Sequence, residues 1–436
     1  MSKVSSSLGC SGARITPRII IHGGAGNLTR TTIPRERYNE YTASLERIIA
    51  QSADLLAIPG ATALDVATYA VTQLEDDPLY NSGKGAVFTT EGKNELECSI
   101  MVSNGYKKRG VGCMMLKHVK NPIKLARSLL IRGEDEAGGG AKDHCQYSGA
   151  FVEGLAKEWG LDIVEQSYFF TQNKWDEHKR GLVEKNKRRQ LGLAVDEMSD
   201  WEKDNFISLG TCGAVVLDSF GTICTATSTG GLTNKLPGRI GDTPTMGTGY
   251  WAEEWTDIKK SATSQVQMLY RIPSAATLPI DKLLRGDVTS LIGDCLPSLK
   301  QSTSPVSYRQ PLKETEKPTV TRHAVGLSGT GNGDTFIRLC AARTTAAHSR
   351  FASTSLSKAT SWMAGIDGEL QKSASDRWGK THEGVGGLIG IELVGATAEV
   401  VHDFNCGGMF RAWTEEDGER KCLIFREEGW ENGPEK

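Results

Sequence analysis

Leu209-Gly-Thr-Cys-Gly-Ala-Val-Val-Leu-Asp218 is the stretch on which the reading of this chain turns. The run Gly213 to Leu217, a turn at Asp218-Ser-Phe-Gly221 and a second run from Ile223 to Thr227 predict two paired strands. Gly210 and Thr211 stand immediately before the first of them. A threonine hydroxyl is a weak nucleophile and needs a base beside it. A threonine at the start of a chain carries its own base, the α-amine, so no histidine is required. Its β-methyl restricts χ1 and holds the hydroxyl in one direction. A glycine before it can take the strained backbone angles that attack on its own carbonyl requires. Taken alone, a Gly-Thr pair opening a strand is an ordinary structural feature; only the pattern around it makes the bond after Gly210 a candidate self-cleavage site and Thr211 a candidate nucleophile.

The continuation supplies partners. Thr229 ends the second strand inside Thr227-Ser-Thr-Gly-Gly231, where its hydroxyl either serves local backbone or reaches the nucleophile. Arg239 and Asp242 follow Pro237-Gly238 in a loop that can point both side chains one way. A guanidinium fork suits the carboxylate of an α-amino acid and a carboxylate suits its ammonium, while a plain surface ion pair is the simpler alternative. Leu327-Ser-Gly-Thr-Gly-Asn-Gly-Asp-Thr-Phe-Ile-Arg338 is glycine-rich and precedes a helix. It could suggest a phosphate loop, but no strand-loop-helix-strand unit with an acidic ribose partner surrounds it. Cys212, next to the nucleophile, reads as a small buried filler.

Toward the N-terminus, Arg18-Ile-Ile-Ile-His22 reads as a buried strand entering Gly23-Gly-Ala-Gly26. Leu45, Ile48, Ile49, Leu55 and Leu56 mark a helix stopped by Pro59-Gly60. Thr62 caps a second helix, and Asn121-Pro122 opens a third. Residues 174–204 dissolve into charge and read as a solvated, mobile linker. Leu388 to Val394 and Ala398 to Phe404 form another strand pair around Gly395. Residues 254–322 hold six of the fourteen prolines and look like an insertion. With 436 residues, 38% apolar and 24% charged, the chain can bury a sizeable core. Its net charge of −2 predicts no nucleic-acid partner, and no apolar run reaches membrane-spanning length. The start lacks the apolar core of a secretory signal, and the ten cysteines form no C-x-x-C pair and do not cluster with the eight histidines. A cytoplasmic protein without disulfide scaffold or zinc site is the expectation. Strands and helices in both halves predict an α+β or α/β layering.

The Leu209–Asp218 segment, its continuation to Asp242 and the Leu327–Arg338 loop together resemble the N-terminal-nucleophile (Ntn) asparaginases, specifically the plant-type L-asparaginase and isoaspartyl peptidase branch. The likeness runs from Ile19 to about Trp413, outside the linker and the insertion. It implies an α+β fold, the four-layer αββα sandwich of Ntn hydrolases, made of an α-subunit segment 1–210 and a β-subunit segment 211–436 within one domain. By the same resemblance Thr211 is the nucleophile and Thr229 its hydrogen-bonding partner. Thr330 and the Gly331 N–H form the oxyanion hole, and Arg239, Asp242 and Asn81 bind substrate. His22-Gly-Gly-Ala-Gly26 matches the family's glycine loop. Leu74 to Phe88 matches its sodium loop, in which main-chain carbonyls of Leu74, Glu75, Asp77, Tyr80, Ser82 and Lys84 hold Na+. No cofactor is implied for catalysis. The assembly implied is a dimer of α/β heterodimers, acting on asparagine or β-aspartyl dipeptides.

Three features depart from that branch. Gly-Asn-Gly-Asp334 is similar to glycosylasparaginase, and Asn405-Cys-Gly-Gly-Met-Phe-Arg-Ala-Trp413 replaces the usual Asn-Thr-Glu-Gly. The insertion separates Thr229 from Thr330, and Gly249-Tyr-Trp-Ala-Glu253 before it is similar to threonine aspartase. Glycosylasparaginase and a threonine aspartase-like endopeptidase therefore stay as alternative enzymes, and an unprocessed binding homologue as the non-enzymatic one.

Overall fold

The computed structural model describes residues 14–194, 197–198, 210–259 and 319–435. Residues up to Trp255 together with Arg322 onward form one compact unit, and Thr256–Thr321 another. Most of the expected insertion, 260–318, and the end of the charged linker lie outside the described residues.

Strand β1 (Arg18–Gly26) is buried at every position. Alternation explains why: successive side chains leave a strand on opposite faces. Ile19 and Ile21 join a cluster with Tyr41, Leu45 and Ile48 of helix α1 (Arg35–Leu56) and with Val66, Ala70 and Leu74 of α2 (Ala63–Asp76). Ile20 points the other way, among Val215 and Leu217 of β5 (Cys212–Leu217) and Ile389 and Ile391 of β9 (Gly386–Val394). A strand apolar on both faces lies between layers. Each such isoleucine contributes about 1.5–3 kcal/mol by burial.

Around β1 runs an eight-stranded sheet. It holds β2 (Leu96–Val102), β3 (Gly110–Leu116), β4 (Gln146–Ser148), β6 (Ile223–Thr229), β11 (Gly408–Thr414) and β12 (Arg420–Leu423), in the order β12-β11-β1-β5-β6-β2-β3-β4. All paired neighbours are antiparallel except β3 and β4, so the sheet is mixed. A second sheet has the order β10-β9-β8-β7, from β7 (Tyr250–Lys259), β8 (Thr319–Gly331), β9 and β10 (Thr397–Phe404). The architecture is α+β.

Helix boundaries follow local chemistry. The Thr62 hydroxyl accepts the Asp65 N–H at 3.2 Å, and Asp218 in the β5–β6 turn accepts the Ala63 N–H at 2.9 Å. Helix α3 (Pro122–Arg132) begins on proline, and α4 spans Ala150–Glu158. The linker reading needs correction at its start, because Gln172–Gln190 is a helix, α5, capped by Thr171. Charge dominates its composition and hides one buried edge. Trp175 meets Phe88 edge-on, Lys174 is buried against Glu177 at 2.8 Å, and His178 Nδ1 meets the Asn234 side chain. Its three basic residues in the last turn favour the helix dipole. Helices α6 (Gly333–Leu339), α7 (Ala341–Phe351), α8 (Leu356–Ala364) and α9 (Glu369–Ser373) follow β8. Ala342, Ala346 and Leu356 cover Val325 and Leu327 of that strand. Among the described residues no helix is long and apolar enough to cross a membrane.

Candidate active site

Thr211 lies immediately before β5, buried at the end of this interior strand. The β5–β6 register pairs Cys212 with Ser228 and Gly213 with Thr227, and one further step places Thr229 across from Thr211. The Thr229 hydroxyl accepts the Gly231 N–H at 3.0 Å. The Thr211 hydroxyl meets that of Thr243, Oγ1 to Oγ1 3.1 Å. Thr243 follows Asp242 directly, and its adjacency to a candidate substrate-site residue is the one signal in the sequence that could have singled it out.

Gly210 is held between the two sheets. A side chain there would put its Cβ 2.2 Å from Thr330 Oγ1, 3.2 Å from the Gly331 nitrogen and 3.5 Å from the Ala25 nitrogen. A Cβ on Gly24, at φ +122°, would stand 3.0 Å from the Gly210 nitrogen and 3.3 Å from its oxygen. The glycine loop after His22 thus lies against the candidate scissile residue, and glycine at 210 is a steric requirement. Thr330 is fully buried, and its hydroxyl has no hydrogen-bond partner among the described residues. Gly331 is at φ +140°, with Val385 O 2.3 Å from where a Cβ would stand, so no other residue fits beside that hydroxyl. Asn405, inside the departing Asn405–Trp413 segment, braces this corner. It accepts the Gly386 N–H at 3.0 Å and donates to Gly384 O at 2.8 Å.

Behind Thr211, His22 is fully buried, with Nε2 2.8 Å from Ser328 Oγ. Burial lowers its imidazole to about 3, so the ring is neutral and supplies no charge to the site. Cys212 is fully buried too, and burial drives its thiol well above the usual range, which removes it as a rival nucleophile.

Arg239 and Asp242 converge on Gly333. A Cβ on that glycine would sit 2.7 Å from Asp242 Oδ1 and 3.0 Å from Arg239 Nη2. Arg239 Nη2 also donates to Asp334 Oδ1 at 3.1 Å, while Asp242 Oδ2 has no partner among the described residues. Burial pushes the Asp242 carboxyl up to about 7; Glu97 and Asp334 add to the shift and Arg239 opposes it. The arrangement offers one cation and one poised carboxylate side by side. Asn81, fully buried, donates to Gly231 O at 2.7 Å and accepts the Val87 N–H at 3.1 Å, tying its loop to the turn after Thr229.

That loop returns tightly onto the end of α2. The Glu75 carbonyl accepts the Lys84 N–H at 2.7 Å, and a Cβ on Gly83 would stand 2.2 Å from the same oxygen. Lys84 Nζ lies 6.0 Å from the centre of the Tyr168 ring, which shows where its charge is directed. Of the carbonyls expected to hold a cation, that of Glu75 thus accepts a main-chain N–H. Among the described residues no group of three or more His, Cys, Asp or Glu side chains could hold a metal.

The family profile described as asparaginase matches residues 15–265. The chain is 37% identical to a putative isoaspartyl peptidase/L-asparaginase of Dictyostelium discoideum, covering 57% of this chain and 75% of that protein. It is 34% identical to the isoaspartyl peptidase of Salmonella typhimurium over 59% and 76%. The human isoaspartyl peptidase/L-asparaginase is 30% identical over 55% and 68%. With a profile match over more than half its length, and these relatives alongside, the chain belongs to the asparaginase family.

Proposed function

We propose that this chain is a self-processing threonine amidohydrolase that hydrolyses L-asparagine and β-aspartyl dipeptides. The observation that carries the reading is the enclosure of Gly210 between Gly24 and the Thr330–Gly331 pair, with Thr211 next in the chain. In processing, Thr211 Oγ1 attacks the Gly210 carbonyl, the C–N bond breaks to an ester, and water splits the ester. This releases a carboxylate on segment 1–210 and a free α-amine on segment 211–436. In turnover that amine takes the hydroxyl proton as Oγ1 attacks the side-chain carbonyl of the substrate. Thr330 Oγ1–H and the Gly331 N–H donate to the oxyanion. Ammonia or an amine leaves with the proton, and water frees aspartate from the β-aspartyl ester. Arg239 takes the substrate α-carboxylate and Asp242 its ammonium. Thr229, across from Thr211, is the proposed hydrogen-bonding partner of the nucleophile, and Asn81 a proposed substrate contact.

The apolar clusters on both faces of β1 and on the outer face of β8 support the four-layer αββα Ntn arrangement. The resemblance supports a dimer of cleaved α/β pairs. The names of the relatives support the substrate class. Ammonia release from L-asparagine, compared with turnover of a β-aspartyl dipeptide and of a glycosylated asparagine, tests the assignment. Preference for the glycosylated substrate would move it to glycosylasparaginase, a reading that Gly-Asn-Gly-Asp334 favours. A chain that stays whole on a denaturing gel and turns over none of the three would be a binding homologue.

The α-ammonium of a substrate requires Asp242 in its charged form. As the carboxyl sits near 7 in the free enzyme, kcat/KM for L-asparagine should fall as pH drops below about 7, approaching tenfold per unit. Bound ammonium favours the carboxylate, so this limb moves to lower pH in kcat. A limb due to the Thr211 amine would persist in both parameters. Asp242→Asn should remove the limb; its persistence would assign the titration elsewhere.

Thr243→Val keeps the shape and deletes the hydroxyl facing Thr211. Processing should slow by roughly 3–10-fold, the net worth of one hydrogen bond, and Thr243→Ser should restore it. A gel time course showing equal rates for both would deny Thr243 a role.

The loop from Leu74 to Lys84 is proposed to hold Na+ through its main-chain oxygens. Thermal unfolding in sodium chloride should occur a few degrees above that in choline chloride of equal ionic strength, because a ligand at about 100 times its Kd contributes about 2.7 kcal/mol. Superimposable curves would remove the cation.

A further inference from the structure

Glu95 precedes β2 and Glu97 lies within it, two residues apart and therefore on one face, opposite Leu96 and Cys98, which join the helix-covered core. Both glutamates are buried. Their carboxylates grip the backbone on either side of Arg239. Glu95 Oε2 accepts the Gly238 N–H at 2.8 Å, and the two oxygens of Glu97 accept the Gly241 N–H at 3.0 and 3.2 Å. Lys235, also buried, donates to the Glu95 carbonyl at 2.7 Å and anchors the loop at its start. Gly241 is confined between the two charges. A Cβ there would stand 2.8 Å from Arg239 Nη1 and 3.0 Å from Glu97 Oε2. Glu97 is also the β2 residue paired with Thr229 on β6. One carboxylate therefore links the strand facing Thr211 to the loop carrying Arg239.

We infer that Glu95 and Glu97 form a clamp that positions Arg239, and that Glu97 thereby sets the preference for substrates bearing an α-carboxylate. The inference rests on the proposed role of Arg239. Carboxylates holding two N–H groups of a four-residue loop, one on each side of the arginine, fix where its Cα stands. A long side chain anchored in this way keeps its fork where an incoming carboxylate can meet it. Burial raises the Glu97 carboxyl above the usual range, while Lys235, the Gly241 N–H and Arg239 oppose that shift. A buried carboxylate in this setting is retained for what it holds, since an unpaired one is costly.

The test compares L-asparagine with 3-aminopropanamide, the same molecule without its α-carboxylate, using processed enzyme. Wild type should prefer asparagine, and Arg239→Ala should erase that preference. Glu97→Ala should lower kcat/KM for asparagine by roughly 10–100-fold through KM, as expected for a displaced charge-assisted contact. The analogue should lose far less, and Glu97→Gln, still able to accept the N–H, should fall between. Fragments on a gel confirm folding. In an Arg239→Ala background Glu97→Ala should have no further effect on the preference. If Arg239→Ala erases the preference while Glu97→Ala and Glu95→Ala leave it intact or reduce both substrates equally, the clamp is wrong and Arg239 stands. If Arg239→Ala leaves the preference intact, the role of Arg239 fails and takes the clamp with it.

Discussion

A Thr211→Ala chain is expected to remain whole and inert. The residue supplies two groups to the proposed chemistry, the attacking hydroxyl and, after cleavage, the amine that takes its proton. Alanine removes the first and so prevents exposure of the second. Wild type should give fragments of roughly 23 and 25 kDa, the shares of 47.2 kDa carried by 1–210 and 211–436. The variant should give one full-length band after long incubation and lose turnover by at least about 10⁴-fold, as when a nucleophile is deleted from other covalent catalysts. Thr211→Ser keeps the hydroxyl but loses the methyl that narrows χ1, so it should process slowly rather than not at all. Cys212, fully buried and with its thiol held protonated, provides no substitute. Detecting a fragment that starts at residue 211 in the alanine variant, or measurable turnover, would put the nucleophile elsewhere.

What was legible in the sequence had a period or a fixed spacing. The β5–β6 pair, the β9–β10 pair and the helices after Thr62 and Asn121 follow from apolar alternation, turn residues and caps, and each forms. The proximity of Gly210 to Thr330 was not legible from spacing. It arises because β1 lies between α1 and the second sheet, so that Gly24 and the end of β8 close on the same glycine from opposite sides. Only the resemblance joined these segments in advance. Helix α5 was hidden because its buried edge depends on three residues, Lys174, Trp175 and His178, one of them a lysine whose charge is satisfied by Glu177. Composition averages such an edge away. The glutamates of β2 escaped for a related reason. An acid-apolar-acid run reads as a strand with one solvated face, yet here that face is buried and its partners are backbone N–H groups about 140 positions later. Hydrogen bonds to main chain leave no mark on the partner's side-chain sequence.

Thr330→Val should separate catalysis from stability. Valine reproduces the shape of threonine and deletes only the hydroxyl. In the folded chain that hydroxyl is fully buried and unpartnered among the described residues. A buried donor without an acceptor already carries its desolvation cost, so removing it should leave the melting temperature unchanged or raise it slightly. The transition state is different. When negative charge develops on the substrate carbonyl, Thr330 Oγ1–H and the Gly331 N–H are the two proposed donors, and losing one such donor lowers kcat by about 10²–10³-fold. The neutral carbonyl of the bound substrate uses the donor less, so KM should change little. Because the same hydroxyl faces Gly210 in the uncut chain, processing should slow alongside turnover. Fully processed variant, obtained by long incubation, can then be assayed for kcat against its thermal unfolding curve. A structural threonine gives the reverse pattern, a lower melting temperature with kcat near wild type, and that result would remove Thr330 from the chemistry.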